Sequence, residues 1–489
     1  MRKTLILSFL LLLSCSFLHQ LRAQTETINH IEFELNVGWK KHDVKTFESG
    51  IISFAKRSKN WKIDAYSTNL ELKKSIELKP KFKKLAKTYT DETHLYMLFT
   101  NNIGRYFELY IINAETLLFQ KVRGDFPYLG KIWEFKVFKN TGFIKGNDVI
   151  CSIDIKTGET KKLDTSIDGF TSQYYYWHKD IQIIDEANEV LIYVQTEMLN
   201  ENEFFIIKFD ENGERKEQIE LDKTEGKNII SATSTYLNEN SYIVTGTYSH
   251  NKKHASTGVY ISKIINGETA FIKFYNFLDF DYFTKYLPQG KKRKIEKKQI
   301  QKDKKGKELE KGYLIEIHDI IKHNNQYFFL GEVFHSTQTT AASISTNRGL
   351  GVQSIFDGYQ YTHAVLASFD ENGNKQWDET CKLNPPFKPF SPRKFVTPSI
   401  TDEGKIKLIY AGLSHIDSKT FSADGNFSGS ETHKRIDKGD DEVDTNSKIL
   451  ADMDYWYNNY FIAHGTAKIR NKENGETRKV YFINKISYN

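Results

Sequence analysis

Four side chains that could form a polar binding site lie close together in the segment FDGYQYTHA, residues 356–364. They occupy every second position of the segment and are Asp357, Tyr359, Tyr361 and His363. Alternate residues of a β-strand point to one face, so the spacing predicts a carboxylate, two phenols and an imidazole on that face. We take these four as candidate ligand-binding residues for a sugar or a peptide. The alternative is a half-buried strand whose tyrosines pack between sheets.

Metal binding is the second chemistry that the residue types suggest. His318, Glu332 and His335 carry ligand atoms, but they lack the close helical spacing of a zinc protease. The acidic segment DKGDDEVDTN, residues 437–446, offers oxygen ligands for calcium without the order of an EF-hand loop. We therefore expect satisfied or solvent-facing histidines, a solvated acidic loop and no bound metal.

Sequence motifs of several catalytic classes are missing. The chain has no glycine-rich phosphate loop, no GxSxG nucleophile elbow and no Cys-x-x-Cys pair. Paired carboxylates for glycoside hydrolysis stay open, because they could come from distant repeats. The sequence thus favours a non-catalytic protein without a cofactor that binds a protein, peptide or glycan. The alternative is a carbohydrate-active hydrolase or lyase.

The N-terminal residues 1–23 are typical of an export signal. Arg2 and Lys3 precede an apolar run, Leu5–Leu13, which is shorter than the roughly 20 residues that span a bilayer. Cleavage after Ala23 predicts a chain exported to the periplasm or outer membrane, or secreted. Cleavage before Cys15 is the alternative and predicts a lipid-anchored protein of the cell envelope.

Charge and hydropathy limit the partners of the mature chain. Removal of residues 1–23 takes away Arg2, Lys3 and Arg22 and lowers the formal net charge from +6 to +3, which argues against nucleic acid. No later apolar run is long enough for a transmembrane segment. The basic insertion 290–312 is a candidate for peripheral contact with lipid head groups, lipopolysaccharide or an acidic partner, although many charge runs stay solvated.

These residues must be positioned by a repeated unit. Four segments share an alternating strand, a tight turn and an apolar strand that ends at a glycine; they are residues 229–248, 315–334, 395–414 and 449–467. Weaker copies lie upstream, at a period of roughly 45–55 residues, which is typical of a four-stranded propeller blade. The copies predict an all-β propeller of eight blades, or seven if residues 138–163 are not a full blade.

The repeated glycines and the repeated pentapeptide FDENG have structural explanations. Gly246, Gly331, Gly412 and Gly465 suggest a close backbone approach, which we expect to be to the neighbouring sheet. FDENG occurs at 209–213 and at 369–373, in each case between two strands. An Asp that accepts bonds from the turning backbone and a Gly with positive φ predict a hairpin turn between the two outer strands of a blade.

We expect a single domain, residues 24–489, with polar loops at 336–356 and 415–446. A propeller must join its first and last blades, and an open strand edge invites aggregation. The chain ends in a strand without a following partner, and residues 28–36 form a strand without a hairpin. We predict that residues 28–36 complete the sheet of residues 449–489.

Two resemblances to known families accompany these patterns. The turn IDIKTGE, residues 153–159, is similar to the Asp-x-x-Thr-Gly turn of quinoprotein propeller repeats, but Leu163 replaces the tryptophan that usually follows. The whole chain, with FDGYQYTHA ahead of FDENG, resembles uncharacterised exported propeller-like proteins of the Bacteroidota. That resemblance implies a propeller fold and an envelope location without an activity.

Overall fold

Aromatic and β-branched residues recur through the chain and favour strands over helices. The computed structural model describes residues 26–487 except 36–38, 128, 170–174, 199–200, 222–225, 251–254, 288, 307–308, 310, 346–348, 402, 413–414, 435–441 and 445–449. Within this part of the chain, the strands form eight antiparallel sheets, each with at least four strands.

The sheets are numbered as blades in chain order. Blade 1 contains β2 Trp39–Phe47, β3 Gly50–Arg57, β4 Asn60–Tyr66 and β5 Leu72–Leu78, and blade 2 contains β6 Lys84–Thr90, β7 His94–Thr100, β8 Tyr106–Asn113 and β9 Phe119–Asp125. Blade 3 contains β10 Glu134–Phe138, β11 Thr141–Lys145, β12 Ile150–Asp154 and β13 Thr160–Lys162, and blade 4 contains β14 Tyr175–Ile184, β15 Glu189–Met198, β16 Glu201–Phe209 and β17 Arg215–Glu220. Blade 5 contains β18 Asn228–Asn238, β19 Ser241–Ser249, β20 Gly258–Ile265 and β21 Glu268–Asn276.

Blade 6 has a divided first strand and contains β22 Leu314–Ile317, β23 Ile321–His323, β24 Gln326–Ser345, β25 Gly349–Asp370 and β26 Lys375–Lys382. Blade 7 contains β27 Val396–Ile400, β28 Ile406–Ala411, β29 His415–Phe421 and β30 Phe427–Lys434. Blade 8 contains β1 Glu26–Glu34, β32 Leu450–Tyr457, β33 Tyr460–Asn471 and β34 Thr477–Ser487, with the short β31 Glu442–Asp444 beside β33. The described helices are α1 Gln289–Asp303 and two short 3₁₀ turns, Asp185–Ala187 and Phe277–Asp279, and none is long and apolar enough to cross a membrane.

The eight blades close into a ring, so the predicted β-propeller is confirmed. Within the described residues, eight hydrophobic clusters each join two consecutive blades. The cluster between blades 8 and 1 contains Val44, Ile51, Trp456 and Ile462, and Trp456 Nε1 donates to the Phe47 carbonyl at 2.6 Å. The first strand of each blade lies nearest the central axis. Blade 3 is a full four-stranded blade, which decides the count at eight.

Strand direction gives the ring two different rims. Because the strands of each blade run antiparallel, the linkers between blades and the turns between second and third strands lie on one rim, which we call the upper rim. The turns between first and second strands and between third and fourth strands lie on the other, the lower rim. Besides the buried faces between blades, residues of different blades therefore meet at a rim or in the channel.

The N-terminal strand seals the ring as predicted. β1 pairs antiparallel with β34 from Glu26 opposite Ser487 to Glu34 opposite Val480. Ile31 and Phe33 pack on the cluster between blades 8 and 1. The outermost strand of blade 8 thus comes from the opposite end of the chain, and this pairing covers the edge of β34.

The FDENG segments form the predicted outer hairpin turns. Asp210 Oδ1 accepts from the N–H groups of Asn212 at 3.0 Å and Glu214 at 2.9 Å, and Gly213 has φ +76°. The turn at Asp370 repeats this arrangement, with Gly373 at φ +75°. A Cβ on Gly373 would lie 2.5 Å from the Phe271 ring of blade 5, so this turn also packs against the preceding blade.

Two predicted loops are corrected, and the basic insertion lies between strands as expected. The predicted polar loop 336–356 is largely the extension of β24 and β25, which pair with each other as far as Ser345 and Gly349. The predicted loop 415–446 contains β29, β30 and β31, and the basic insertion 290–312 contains most of α1. Thr, Ser and Val tolerate an extended backbone, which explains the strands in the two predicted loops, and Lys and Gln suit the solvated helix of the insertion.

The glycine prediction is wrong in one respect. A Cβ on Gly246 would lie 1.9 Å from the carbonyl oxygen of Ser231 in β18, which belongs to the same blade. The extra residue Ile230 bulges β18 at this point and brings the carbonyl onto Gly246. Glycine is thus needed for approach within the blade and not to the neighbouring sheet.

Deletion of residues 24–35 should lower the Tm by roughly 5 °C or more, because the deletion exposes β34 and uncovers the cluster between blades 8 and 1. Differential scanning calorimetry measures the effect. Glu34→Ala, at an exposed position of β1, is the matched control and should leave the Tm nearly unchanged. An unchanged Tm in the deletion variant would show that β1 does not close the ring.

Candidate functional site

The four predicted site residues do not share one face. His363 pairs with Val333 and Tyr361 pairs with Phe334, so Thr362 is an extra residue in a bulge of β25. A bulge reverses the alternation of side chains. Tyr361 accordingly packs towards blade 7, against Phe395, whereas His363 lies on the side of blade 5.

Tyr361 and His363 are both buried. The Tyr361 hydroxyl donates to the Arg393 carbonyl at 2.6 Å and accepts from the Arg393 N–H at 2.8 Å. His363 packs edge-to-face against Phe283, at 5.1 Å between ring centroids, and lies beside Tyr286. Burial lowers the pKa of His363 to about 4, and its Nε2 has no hydrogen-bond partner among the described residues. Both side chains therefore belong to the packed interior beside the blade in this structure.

Asp357 and Tyr359 lie at the upper rim. Asp357 Oδ2 is 3.0 Å from Lys388 Nζ, and the pKa of this carboxyl is lowered by the Thr337 hydroxyl and by Lys388. Tyr359 is half-buried between Phe334 and Phe356. The four residues therefore do not form a single pocket, and their role in ligand binding stays a prediction.

His318 and Glu332 meet as a structural pair. His318 Nε2 lies 2.8 Å from Glu332 Oε1, and Glu332 also accepts from the backbone N–H groups of Phe395 and Val396. This carboxylate fastens blade 6 to the linker that enters blade 7. His335 does not join them, and no group of three or more metal-ligating side chains occurs among the described residues.

A cavity lined by charged side chains of several blades lies in the upper channel. It has a volume of about 700 Å³ and is formed mainly by the first strands of blades 1, 2, 7 and 8 and by the linker before blade 7. Its charged and imidazole side chains are Asp43, Lys45, Lys87, His318, Arg393, Lys394, Asp452, Asp454 and His464. The cavity therefore presents both signs of charge to one partly open space.

Some of these charges are neutralised within the chain and others are not. Lys45 Nζ lies 3.4 Å from Asp43 Oδ2, and Arg393 forms an ion pair with Asp452. By contrast, Lys87 in β6 and Lys394 before β27 form no hydrogen bond or ion pair with the described residues. Burial lowers the pKa of Lys87, and Lys131 and Lys145 lower it further against the opposing effect of Glu134. Two ammonium groups thus face the cavity without a counterion in contact.

His464 fixes the carboxylate of Asp454 at the cavity wall. Its Nε2 lies 2.9 Å from Asp454 Oδ2, and its Nδ1 lies 2.7 Å from the Tyr481 hydroxyl. Burial by itself lowers the pKa of His464, but the hydrogen bond and charge of Asp454 outweigh burial and raise the pKa. The resulting ion pair holds Asp454 towards the channel.

Glu134 of β10 and Asp180 of β14 bring two carboxyl groups into hydrogen-bond contact between blades 3 and 4. Burial and the charge of Asp180 raise the pKa of Glu134 to about 7, although Lys136 and Lys145 lie 3.2 and 3.5 Å from its carboxyl oxygens. Burial also opposes ionisation of Asp180, but Lys136 and the bond from Glu134 outweigh burial and lower the pKa of Asp180. The pair therefore holds one proton near neutral pH.

Sequence reasoning missed these channel residues although a signal was present. Charged residues alternate within the first strands of several repeats, as in DVK at 43–45, EFK at 134–136 and DMD at 452–454. A first strand faces neighbouring blades and the axis, so regular charges there indicate a polar channel. Only the ring, however, shows which of them meet.

Comparison with known proteins bears on the fold. Neither a protein-family model nor a curated protein sequence matches the chain. The chain is similar to the WD40 domain of SCAP from fission yeast, with 7% identity, a TM-score of 0.43 and coverage of 95% of this chain and 98% of that one. It is also similar to the polysaccharide lyase Uly1 (7% identity, TM-score 0.41, 87% and 92% coverage) and to a functionally unknown protein from Desulfotomaculum acetoxidans (10% identity, TM-score 0.37, 80% and 95% coverage). At these values the similarity carries no functional argument.

Tyr361→Phe should lower the free energy of unfolding by about 1–2 kcal/mol, because it leaves the Arg393 N–H and carbonyl without their shared partner. Urea unfolding followed by tryptophan fluorescence measures the change. Tyr359→Phe is the matched control on the same strand and should have a smaller effect. Equal effects of the two variants would contradict a structural role for the Tyr361 hydroxyl.

Glu134→Gln should change the pH dependence of stability. The folded-state pKa of Glu134, about 7, lies above its ordinary value of 4.5, so the folded protein binds an extra proton between these values and wild-type stability falls as pH rises through 7. Glutamine keeps an N–H donor for Asp180 but does not titrate. Hence the stability of the variant relative to wild type should rise between pH 5 and pH 8 in urea unfolding.

Glu115→Gln, in an exposed turn, controls for the loss of one carboxyl group from the chain. A stability difference between Glu134→Gln and wild type that is the same at every pH would mean that Glu134 does not hold the proton.

Proposed function

We propose that this protein is an exported, non-catalytic propeller of the cell envelope that binds a peptide, a glycan or a protein segment through an anionic group. The observation that carries this proposal is the upper channel cavity, in which Lys87 and Lys394 form no ion pair or hydrogen bond with a described residue, although Glu134 acts on Lys87 and Asp180 and Glu316 act on Lys394 from a greater distance. An ammonium group that is partly removed from water gains most from an anion in contact. A carboxylate, sulfate or phosphate of the ligand would supply it.

Lys87 gives the clearest electrostatic reason. Its pKa is lowered by burial and by the cations Lys131 and Lys145, which means that its charged form is destabilised in the unliganded protein. A bound anion would remove part of that cost. Lys394 comes from the linker before blade 7 and reaches the cavity from another blade, so the two lysines suit an anion between them.

The remaining residues that line the cavity could recognise uncharged and apolar groups of a ligand as well as its charge. Asp43 and Asp454 offer acceptors for hydroxyl or ammonium groups, and Phe395 contributes an apolar surface. A volume of about 700 Å³ lies within the range of small-molecule sites, roughly 300–1,000 Å³. A short peptide end or one to two sugar units would fill it.

The carboxyl pair between blades 3 and 4 lacks the spacing of a glycoside hydrolase. Glycosidases hold their two carboxyl groups roughly 5–10 Å apart. Glu134 and Asp180 are in direct hydrogen-bond contact. This pair therefore does not support the hydrolase alternative, and the carboxylates of the cavity, Asp43, Asp452 and Asp454, are covered by the enzyme outcome of the test below.

The proposed location follows from the N-terminal segment. Arg2, Lys3 and the apolar run Leu5–Leu13 support export, with cleavage after Ala23 and release to the periplasm or outer membrane. Lipid attachment at Cys15 is the alternative. Incorporation of radiolabelled palmitate that is lost in Cys15→Ser would support the lipid-anchored form.

The test uses the chain from Gln24 onward, which contains every described strand. The purified protein is applied to an array of acidic and neutral glycans and of envelope-derived peptides. The affinity for each retained ligand is then measured by calorimetry. Lys87→Ala combined with Lys394→Ala should weaken binding of the anionic ligand at least tenfold. Lys156→Ala combined with Lys405→Ala, at the lower rim, is the matched control and should bind as wild type.

Three outcomes would overturn parts of this proposal. Binding that survives the channel substitutions but is lost in Asp357→Ala with Tyr359→Ala would move the site to the upper rim. Release of new reducing ends or unsaturated sugars from an array glycan would establish the enzyme. Equal loss of binding in both lysine pairs would mean that bulk charge and not the cavity binds the ligand.

A further inference from the structure

The two rims differ in charge. Several linkers of the upper rim are basic, for example KPKFK at 79–83 and FKPFSPRK at 387–394, neither of which contains an acid. Turns of the lower rim are rich in acids, for example DEA at 185–187 and DENGE at 210–214. The lower rim is therefore mainly acidic, whereas the upper rim carries basic segments together with the acidic strand β31, Glu442–Asp444, before blade 8.

α1 concentrates the basic charge of the upper rim. Its sequence QGKKRKIEKKQIQKD contains seven Lys or Arg residues and two acids. Ile295 is buried and anchors the helix, whereas Ile300 is 55% exposed. Acids at 308 and 310 follow in the chain and lie outside the described residues. The helix thus presents a cationic surface that is fixed to the ring at one apolar residue.

The cationic surface continues from α1 onto neighbouring linkers. Burial lowers the pKa of Lys311, and the nearby charges of Lys291 and Lys298 lower it further. Burial also lowers the pKa of His335, with further contributions from Lys291 and Lys388. α1, the start of blade 6 and the linker after blade 6 therefore form one cluster of cations around the base of the β24–β25 hairpin.

Exposed apolar side chains lie beside these cations. Phe390, in the same linker as Lys388, is 74% exposed, and Phe356 next to Asp357 is 38% exposed. The two rings lie 5.9 Å apart between centroids. Ile355 is also exposed. Clustered apolar side chains at the rim of a protein indicate an interaction surface.

We propose that the upper rim docks onto an anionic lipid surface, with α1 and Lys388 on the head groups and Phe356 and Phe390 at the boundary between head groups and acyl chains. Cations next to exposed aromatic residues are the combination that interfacial binding requires. A soluble polyanion would use the lysines equally well, but it would give Phe356, Phe390 and Ile300 no apolar environment. The combination of charges and rings therefore favours lipid.

The experiment is co-sedimentation of the chain from Gln24 onward with vesicles. Vesicles of phosphatidylcholine and phosphatidylglycerol at 7:3 are compared with pure phosphatidylcholine, at 50 and 500 mM NaCl. We expect binding to the anionic vesicles at low salt and at least tenfold weaker binding to pure phosphatidylcholine and at high salt, because the attraction is electrostatic.

The variants separate the cations from the rings. Lys291→Gln, Lys294→Gln and Lys298→Gln together should weaken binding to anionic vesicles at least tenfold. The matched control carries Lys139→Gln, Lys156→Gln and Lys405→Gln on the lower rim and should bind as wild type. Phe356→Ser with Phe390→Ser should weaken binding while leaving its salt dependence in place. A Tm equal to that of wild type verifies that each variant is folded, and the salt dependence of the wild type gives an independent readout.

Two results would overturn the proposal. One is equal loss of vesicle binding in the α1 variant and in the lower-rim control. The other is retention on immobilised dextran sulfate without binding to the anionic vesicles, which would assign the surface to a polyanionic polymer. Channel binding measured with Lys87→Ala and Lys394→Ala is a separate readout, so the outcomes for the two sites are distinguishable.

Discussion

Coverage of apolar faces is the constraint on which the whole structure depends. Each blade exposes a hydrophobic face on both sides, and each face is buried only when another blade stands against it. Because the array of blades curves into a ring, the last free face of blade 8 packs on blade 1, with Trp456 and Ile51 in the shared cluster. β1 then completes blade 8, so the two ends of the chain are held in one sheet. Stability is thus shared around the ring and has one noncovalent seam.

The same constraint places charged residues at the axis. The first strand of each blade has little space around it at the channel, and its inward side chains face the first strands of other blades. The charge of Lys394, in the linker before blade 7, helps to lower the pKa of Asp180 in blade 4, which shows that distant segments of the chain converge there. Such groups are costly to bury unless they are paired. Most are in direct contact with a partner here, whereas Lys87 and Lys394 have carboxylates nearby but none in contact.

Segments of the rims vary without altering the pairing of the blades, although linker residues such as Phe126 and Phe283 belong to the clusters between blades. The linker before blade 6 has accepted α1, and β24 and β25 extend beyond their blade without altering its pairing. Acids collect in the lower turns, where Asp210 and Asp370 also serve as backbone acceptors, and basic residues collect in α1 and in the linkers 79–83 and 387–394 of the upper rim. The acidic character of the lower rim is therefore partly a by-product of turn geometry, whereas the cations of α1 have no such role in a turn.

The sequence by itself determined the repeat, the class of fold, the outer turns at Asp210 and Asp370 and the pairing of the N-terminal strand, because these depend on local alternation and on residues with special backbone preferences. It did not determine the site. A single bulge at Thr362 sends Tyr361 and His363 to opposite faces, and no alternating pattern reveals a bulge in advance. The cavity depends on residues of different blades, Lys87 and Lys394 among them, and only closure of the ring decides which of these side chains meet.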